Sequence, residues 1–310
     1  MIAPAPTVDA SFEPAPATGA SRETVEPAPA KINLALHVTG RRADGYHLLD
    51  TVVVHGGAED RVFARRVGTA TTREPRTSLA LTGPRAQGLS AGADNLVTAA
   101  ARALAVEAAR LGRGLFDVDL TLEKHLPIAS GIGGGSSDAA ATLRLLDRLW
   151  GLGLSPERLA EIGLPLGADV PMCVWGRPAR VGGIGEAIEA VAPLPAFRLV
   201  LVNPGVPVAT PAVFRALSRR DNPPLPDLPA RFDTLDELVD WLGHTRNDLE
   251  TAAITVAPEI EHALDWLRSR PGCRLARMSG SGATCFALFA TDAEVTAADL
   301  PAGWWSNLGR

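Results

Sequence analysis

The residues best suited to do chemistry lie in a glycine-rich stretch, residues 127–137, which reads P-I-A-S-G-I-G-G-G-S-S. Its glycines adopt backbone angles that other residues avoid and let a ligand approach the main chain closely. Alanines and leucines follow, so the stretch leads into the N-terminus of a predicted helix. The free N–H groups and positive dipole of such an N-terminus bind anions, most often phosphate. The pattern therefore favours a phosphate-binding loop.

Other interpretations of this stretch are open. It could be an ordinary turn in which Ser136 or Ser137 caps the helix. It is not a Walker A loop, because it contains no G-K-[ST] sequence. The segment before it is only briefly strand-like, which disfavours a dinucleotide fingerprint. If the loop holds a triphosphate, the balancing cation must come from elsewhere in the chain.

Lys31 and Asp169 are two further charged residues, one on a predicted strand and one before a predicted helix. Residues 31–38 alternate between polar and apolar, which predicts a strand with one face in the core and Lys31 and Asn33 on the other. Both could be ordinary solvent-facing residues. Asp169 precedes Pro171, so it could cap a short helix. Its alternative role needs a carboxylate opposite the phosphate loop.

Two further loops carry residues that could bind a ligand. Tyr46, the only tyrosine in the chain, stands beside His47 after an Asp-Gly turn. Aromatic residues on loops can pack against the protein or provide a stacking platform for a base. Residues 278–283, M-S-G-S-G-A, could be a hairpin turn or a second glycine-rich segment that approaches the first.

The remaining pattern predicts the elements that position these residues. Short antiparallel strands are expected over 51–82, a helix capped by Asp94 over 95–111, a strand at 116–122 and helices at about 138–150 and from 156. A boundary near 186–196 separates strand 197–202, helices near 211–218, 234–243, 247–254 and 258–269, and strands near 274–277 and 284–290. We therefore predict a leader over 1–27 and domains over 28–190 and 191–310.

Composition places the chain among soluble globular proteins. The 310 residues are 46% hydrophobic and 21% charged, and the net charge of −5 argues against nucleic-acid or anionic-membrane binding. The three cysteines, Cys173, Cys273 and Cys285, form no C-x-x-C pair, which fits a reducing compartment and disfavours a zinc site. No apolar run is long enough for a transmembrane helix. The acidic residues of the leader speak against targeting signals, so we expect a cytoplasmic protein.

Three motifs in fixed order, P-A-K-I-N-L, P-x-x-x-G-I-G-G-G-S-S and S-G-S-G-A-T, resemble those of the GHMP kinase superfamily. The longer strings A-K-I-N-L-A-L-H-V-T-G-R-R-A-D-G-Y-H and L-G-A-D-V-P resemble one family in it, the 4-diphosphocytidyl-2-C-methyl-D-erythritol kinases. The resemblance extends from about Pro27 to about Phe289. It implies a two-domain α+β GHMP kinase fold, with a ribosomal protein S5 domain 2-like N-terminal domain and a ferredoxin-like C-terminal domain.

The same resemblance implies an activity. Members phosphorylate the 2-hydroxyl of a cytidylyl methylerythritol with ATP and Mg²⁺, in the non-mevalonate route to isoprenoid precursors. It implies a small-molecule substrate, no nucleic acid or membrane partner, and a monomer or homodimer. The rival hypotheses are another GHMP kinase, acting on mevalonate, homoserine or a sugar, and a non-catalytic nucleotide- or RNA-binding protein on the same fold.

Site residues follow from the matched motifs. Lys31 and Asp169 fall on the catalytic positions. The ATP-binding loop falls on Pro127, Ile128, Ala129, Ser130, Gly131, Ile132, Gly133, Gly134, Gly135, Ser136 and Ser137. The substrate pocket falls on Asn33, Tyr46, His47, Thr210 and Phe214. No acidic metal ligand is assigned, although Ser136 or Ser137 could contribute, and Asp138 stands where some relatives carry Asn.

Overall fold

The structure, a computed structural model, describes residues 23–309 of the chain, apart from the side chains of residues 69 and 70. Its strands are Thr24–Arg41 (β1), His47–Thr72 (β2), Thr77–Thr82 (β3), Leu115–Glu123 (β4), Ala179–Gly183 (β5), Ala187–Ala190 (β6), Arg198–Asn203 (β7), Leu275–Met278 (β8), Cys285–Phe289 (β9) and Trp305–Asn307 (β10). Its α-helices are Leu96–Arg110 (α1), Gly134–Trp150 (α2), Pro156–Gly163 (α3), Val170–Trp175 (α4), Thr210–Ala216 (α5), Leu235–Gly243 (α6), Glu250–Val256 (α7) and Glu259–Arg268 (α8).

The strands form two sheets, each with its own helices. In the first sheet, β3-β4-β2-β5-β6 lie side by side and β1 also pairs with β2; only the β3–β4 pair is parallel. Helices α1 to α4 complete the core around this sheet. The second sheet, β10-β7-β9-β8, is antiparallel, and α5, α7 and α8 share its core. The prediction of a mixed α+β fold is therefore confirmed.

Strand β1 belongs to the first sheet, packs against the second and is buried on both faces. Ile32 and Leu34 pack with Leu201 and Phe286 of the second sheet in one apolar cluster. On the opposite face Lys31 is only 4% exposed. The predicted strand with one face in the core is confirmed, but the alternative in which Lys31 and Asn33 face solvent is wrong. The glycine-rich loop covers the polar face, where a Cβ atom at Gly133 would lie 3.1 Å from Lys31 Cε. The polar residues of β1 are thereby held inside the protein.

Several predicted boundaries also differ from the structure. One long strand, β2, replaces most of the short strands predicted over 51–82; Gly56 and Gly57, both at positive φ, lie within it and do not end it. The cap of α1 is Asn95, whose side chain accepts from the Val97 N–H, whereas Asp94 accepts a hydrogen bond from Ser90.

The two ends of the chain differ from the prediction as well. Strand β1 begins at Thr24, inside the predicted leader, and Glu26 pairs with Arg144 and Arg148 of α2. The rest of that leader, residues 1–22, lies outside the described residues. Strand β10 was not predicted, and the domain boundary near 186–196 stays a prediction. Within residues 23–309, no helix has both the length and the apolarity needed to cross a membrane.

Candidate active site

A cleft of about 970 Å³ opens between the two sheets and gathers the predicted motifs. Its walls include Lys31 and Asn33 from β1, Asp169 from the start of α4, and Ser281 from the β8–β9 loop. The predicted substrate residues Tyr46, His47, Thr210 and Phe214 also line it. Residues separated by up to 250 positions in the chain therefore face one cavity, as a site between two domains requires.

The phosphate loop presents its backbone to this cleft. Residues 129–131 and 133–136 line the cavity, and α2 begins directly at Gly134. The cap position is Gly133, at φ 64°, and in the described chain no side chain caps the helix. The interpretation of a serine-capped turn was therefore wrong. The N–H groups of the first turn stay available to an anion.

The other members of the predicted ATP-binding set have different positions. Pro127 and Ile128 line a smaller cavity of about 210 Å³ that shares loop residues with the cleft. Ile132 is fully buried in the apolar cluster beneath β1. Ser137 is buried, and its hydroxyl lies 3.4 Å from the Cys173 sulfur. Of the two serines, only Ser136 lines the cleft.

The second glycine-rich segment packs backbone to backbone against the first. A Cβ atom at Gly131 would lie 2.4 Å from the Ser279 carbonyl oxygen and 2.7 Å from the Gly282 nitrogen. The Thr284 N–H donates to the Ser130 carbonyl at 3.1 Å, and the Ser279 hydroxyl donates to the Gly131 carbonyl at 3.2 Å. The segment is the β8–β9 hairpin connection, and it also supports the phosphate loop.

Lys31 and Asp169 form an ion pair at the centre of the cleft. The Lys31 Nζ atom lies 3.0 Å from Asp169 Oδ2 and also donates to Asn33 Oδ1 at 3.0 Å. The Lys31 side chain is 5% exposed, whereas that of Asp169 is 40% exposed. Asp169 stands at the N-cap position of α4 but makes no side-chain cap bond within the described residues. The interpretation of Asp169 as a helix cap was therefore wrong, and its carboxylate is free to meet a ligand.

The far end of the cleft carries an aromatic pair. The rings of His47 and Phe214 stack, with centroids 4.4 Å apart and planes 19° from parallel. Burial lowers the pKa of His47, and the positive charges of Arg41 and Arg220 lower it further. Its Nε2 atom is buried and has no hydrogen-bond partner in the described part of the chain. Tyr46 beside it is 59% exposed.

A buried charge cluster beneath the phosphate loop was missed by the sequence analysis. Lys124 Nζ lies 2.5 Å from Asp60 Oδ2 and 2.6 Å from Asp138 Oδ2. Burial raises the pKa of Asp138 to about 7, with Lys124 opposing and Asp60 reinforcing the shift. Only the acid at position 138, next to the double serine, gave any signal of this cluster.

His55 lies opposite Lys31 in the β1–β2 ladder and gives a testable pH dependence. Burial lowers its pKa to about 4, and the charges of Lys31 and Arg144 add to the effect. In the unfolded chain His55 is therefore protonated below about pH 6.5, whereas in the folded chain it is protonated only below about pH 4. By linkage, we expect stability to fall by roughly 2–3 kcal/mol from this residue between pH 7 and pH 4.5.

Urea unfolding of wild type and His55→Gln at those two pH values checks this expectation. The free energy of unfolding should fall more steeply on acidification in wild type than in His55→Gln. His262→Gln, which removes an exposed histidine from α8, controls for the loss of a histidine. Parallel pH dependences of wild type and His55→Gln would contradict the assignment.

Comparison with known proteins identifies the relatives of this chain. The model of the GHMP kinases N terminal domain matches residues 95–177, and that of the GHMP kinases C terminal region matches residues 226–302. A 4-diphosphocytidyl-2-C-methyl-D-erythritol kinase of Cereibacter sphaeroides is 53% identical over 288 residues, which cover 91% of this chain and 96% of the relative. The enzyme of the same description from Brucella melitensis is 51% identical over 288 residues, covering 90% and 92%.

Solved structures agree with these matches. The crystal structure of a 4-(cytidine 5'-diphospho)-2C-methyl-D-erythritol kinase superposes with a TM-score of 0.67 at 34% identity, covering 86% of this chain and 90% of that one. A homoserine kinase from Cytophaga hutchinsonii superposes with a TM-score of 0.58 at 17% identity, covering 92% of this chain and 89% of that one. The second likeness shows the shared fold alone.

Proposed function

Because the chain belongs to the family of 4-diphosphocytidyl-2-C-methyl-D-erythritol kinases, within the GHMP kinases, we propose that it transfers the γ-phosphoryl group of ATP to the 2-hydroxyl of that cytidylyl compound. The chain is an ATP-dependent kinase of a small molecule, and its reaction belongs to isoprenoid precursor synthesis. The observation that carries the assignment of roles is the Lys31–Asp169 pair at 3.0 Å, which lies beside Gly133 of the glycine-rich loop in the cleft that His47 and Phe214 also line.

Asp169 is proposed as the general base. An alcohol is a poor nucleophile until its proton is taken in the transition state, and a carboxylate in the cleft can take it. Lys31, whose Nζ atom lies 3.0 Å from that carboxylate, offsets charge on the phosphoryl group in flight. Asn33, which accepts from Lys31 and donates to Thr51 at 2.8 Å, fixes the ammonium in place beside the acceptor.

The loop and its side cavity are proposed to hold ATP. The N–H groups at the start of α2 face the cleft and suit the β- and γ-phosphates, where the helix dipole adds a favourable potential. The cavity of about 210 Å³ has apolar walls at Leu122, Pro127 and Ile128 and opens onto the same loop, which suits the adenosine. ATP would thus lie across the loop with its γ-phosphate towards Asp169.

Magnesium is proposed as the second cofactor, and the residues present fit it. Among residues 23–309 no cluster of three or more His, Cys, Asp or Glu side chains could hold a metal ion. Kinase Mg²⁺ sites usually need only one or two protein oxygens, because phosphates and waters supply the other ligands. The hydroxyl of Ser136 in the cleft would be such an oxygen, whereas Ser137 is turned to Cys173. When bound, the ion neutralises charge on the phosphates.

The aromatic end of the cleft is proposed to bind the cytosine. His47 and Tyr46 offer faces or edges to a base, and stacking contributes about 1–3 kcal/mol per base. The buried Nε2 of His47 has an unmet hydrogen-bonding capacity that a base edge can satisfy. The hydroxyls of Thr210 and Ser281, 2.7 Å apart, line the path between this end and Asp169.

Two rival functions remain testable. A kinase of mevalonate, homoserine or a sugar would share the fold, but it would have no use for an aromatic pocket at the far end of the cleft. A non-catalytic RNA-binding protein would not need the Lys31–Asp169 pair, and a net charge of −5 disfavours it. A cytoplasmic location, a monomer or homodimer, and the absence of nucleic-acid and membrane partners stay predictions.

The product of the reaction tests the proposal. Purified protein is incubated with ATP, Mg²⁺ and the cytidylyl compound, and the products are followed by phosphorus and carbon NMR. We expect ADP and one new phosphomonoester, whose phosphorus couples to the methyl carbon and to no proton, because the carbon that bears the methyl branch carries no hydrogen. A phosphate on another hydroxyl, or ADP without any new phosphomonoester, would contradict the proposal.

A further inference from the structure

Asp60, Lys124 and Asp138 form a buried charge cluster, and Lys124 and Asp138 border the cavity of about 210 Å³ proposed for the adenosine. The side chains come from β2, from the residue after β4 and from the first turns of α2. Each is at most 4% exposed, and the ammonium of Lys124 lies within 2.6 Å of an oxygen of each carboxylate. These are short, charge-assisted contacts with little solvent to weaken them.

The cluster holds both ends of the phosphate loop. The second oxygen of Asp60 accepts from the N–H groups of His125 and Leu126, at 2.6 and 2.8 Å, directly before the loop begins. Asp138 follows the loop, on the first turns of α2, and binds the same ammonium. The start and the end of the loop are therefore joined through one side chain, that of Lys124.

The cluster also supports the loop from below. A Cβ atom at Gly134 would lie 3.2 Å from Lys124 Nζ and 3.8 Å from Asp60 Oδ2. The backbone of Gly134 thus rests against the ammonium, while its other side lines the cleft. A displacement of Lys124 would carry the first N–H groups of α2 with it.

Charge balance alone does not explain Asp138. Lys124 and Asp60 already form a one-to-one pair, and adding Asp138 leaves the cluster with a net negative charge when both acids are ionised. The Oδ1 atom of Asp138 is buried without a hydrogen-bond partner among the described residues. Burying a second carboxylate under these conditions costs stability, and Lys124 would keep Asp60 as its counter-ion if an apolar residue replaced Asp138. The carboxylate is therefore better explained by the loop that it fixes than by the stability of the fold.

We propose that Asp138 is a positioning residue: through Lys124 it fixes the first turn of α2 against the end of β4, so that the loop N–H groups meet the phosphates of the nucleotide. This proposal depends on the proposed function in one respect only, which is that ATP is the nucleotide. Without the contact, the helix start and Lys124 can move independently. Phosphate binding weakens, whereas the acceptor pocket is unaffected.

Three variants test this role. Asp138→Leu removes the oxygen that binds Lys124 and should raise the KM and Kd for ATP on the order of tenfold, as a misplaced binding group does. Its KM for the acceptor should stay within about twofold of wild type, and its Tm should be close to wild type, because Lys124 keeps Asp60 as its partner. Asp138→Asn keeps an oxygen for Lys124 and should restore near-normal ATP affinity. Asp147→Leu removes a buried acid at the other end of α2, where Asp147 accepts from the Leu154 N–H, and should lower Tm without changing ATP affinity.

The Kd for ATP, measured by calorimetry without acceptor, keeps this test independent of the acceptor's identity. Unchanged ATP affinity in Asp138→Leu would overturn the positioning role, and so would an equal loss of affinity for adenosine alone, because Asp138 also borders the adenosine cavity. So would equal losses of ATP affinity in Asp138→Leu and Asp147→Leu, which would mean that any weakening of α2 suffices. If neither Asp138→Leu nor Asp138→Ala yields folded protein, Asp138 serves the structure and the proposal is wrong.

Discussion

Asp169→Asn is expected to leave the protein folded and able to bind ATP, while kcat falls by about a thousandfold or more. Asparagine keeps the size of the side chain but cannot take the proton of the acceptor hydroxyl, and general-base catalysis alone contributes about 10²–10⁴. The loss of the ion pair also leaves the Lys31 ammonium without its carboxylate. Steady-state kinetics, an ATP binding titration and a thermal melt measure the three quantities.

Asp44→Asn is the matched control, because Asp44 is another acid that lines the same cleft, at the Tyr46 end. Its kcat should stay close to wild type, since Asp44 lies away from the Lys31–Asp169 pair. Near-normal turnover in Asp169→Asn would remove Asp169 from the role of base. A large fall in the Tm of Asp169→Asn would instead indicate that Asp169 caps α4, although its side chain makes no cap bond among the described residues.

Gly131→Ala is expected to destabilise the protein by about 3 kcal/mol or more and to abolish ATP binding. Gly131 has φ 75°, which costs an alanine roughly 1–2 kcal/mol. Its Cβ would also lie 2.4 Å from the Ser279 carbonyl oxygen, and overpacking of this kind costs about 1–3 kcal/mol. Both glycine-rich segments must then separate, and the phosphate loop loses the support of the β8–β9 connection. Chemical unfolding and an ATP titration provide the measurements.

Gly151→Ala separates the two causes. Gly151 ends α2 at φ 65°, but in the described structure no atom lies within 4 Å of its would-be Cβ. It should show the conformational cost alone, about 1–2 kcal/mol, and bind ATP normally. Equal destabilisation by the two substitutions, with ATP binding intact in Gly131→Ala, would mean that the contact between the glycine segments does not support the site.

The sequence was informative where local rules decide the structure. The glycines, the alanine-rich segment and the alternation of one strand predicted the loop before α2, the helix itself and the position of Lys31 on β1. The C-terminal helices and strands lie within a few residues of their predicted ranges. These features depend on neighbours in the chain, and their patterns are therefore readable from it.

Most of the failures have one physical origin, which is contact between distant segments; the cap of α1, one residue from its predicted position, is a local exception. The burial of β1 depends on the second sheet at Ile32 and Leu34 and on the glycine-rich loop at Lys31. The role of the Asp169 carboxylate depends on Lys31, because the carboxylate pairs with Lys31 and makes no cap bond to α4 among the described residues. Lys124 and Asp60, 64 residues apart, form a charge cluster that no local pattern reveals. Pairing between residues so far apart in the chain can be recognised only in the three-dimensional structure.

Acceptor selectivity is the most direct test of the proposed active site. ADP release from ATP is followed with the cytidylyl methylerythritol, mevalonate and homoserine as parallel acceptors. Turnover with the cytidylyl compound alone is the expected result, since only that acceptor fills both the Asp169 end and the aromatic end of the cleft. Turnover with mevalonate or homoserine but not with the cytidylyl compound would contradict it, and the pocket at His47 and Phe214 would then need another ligand.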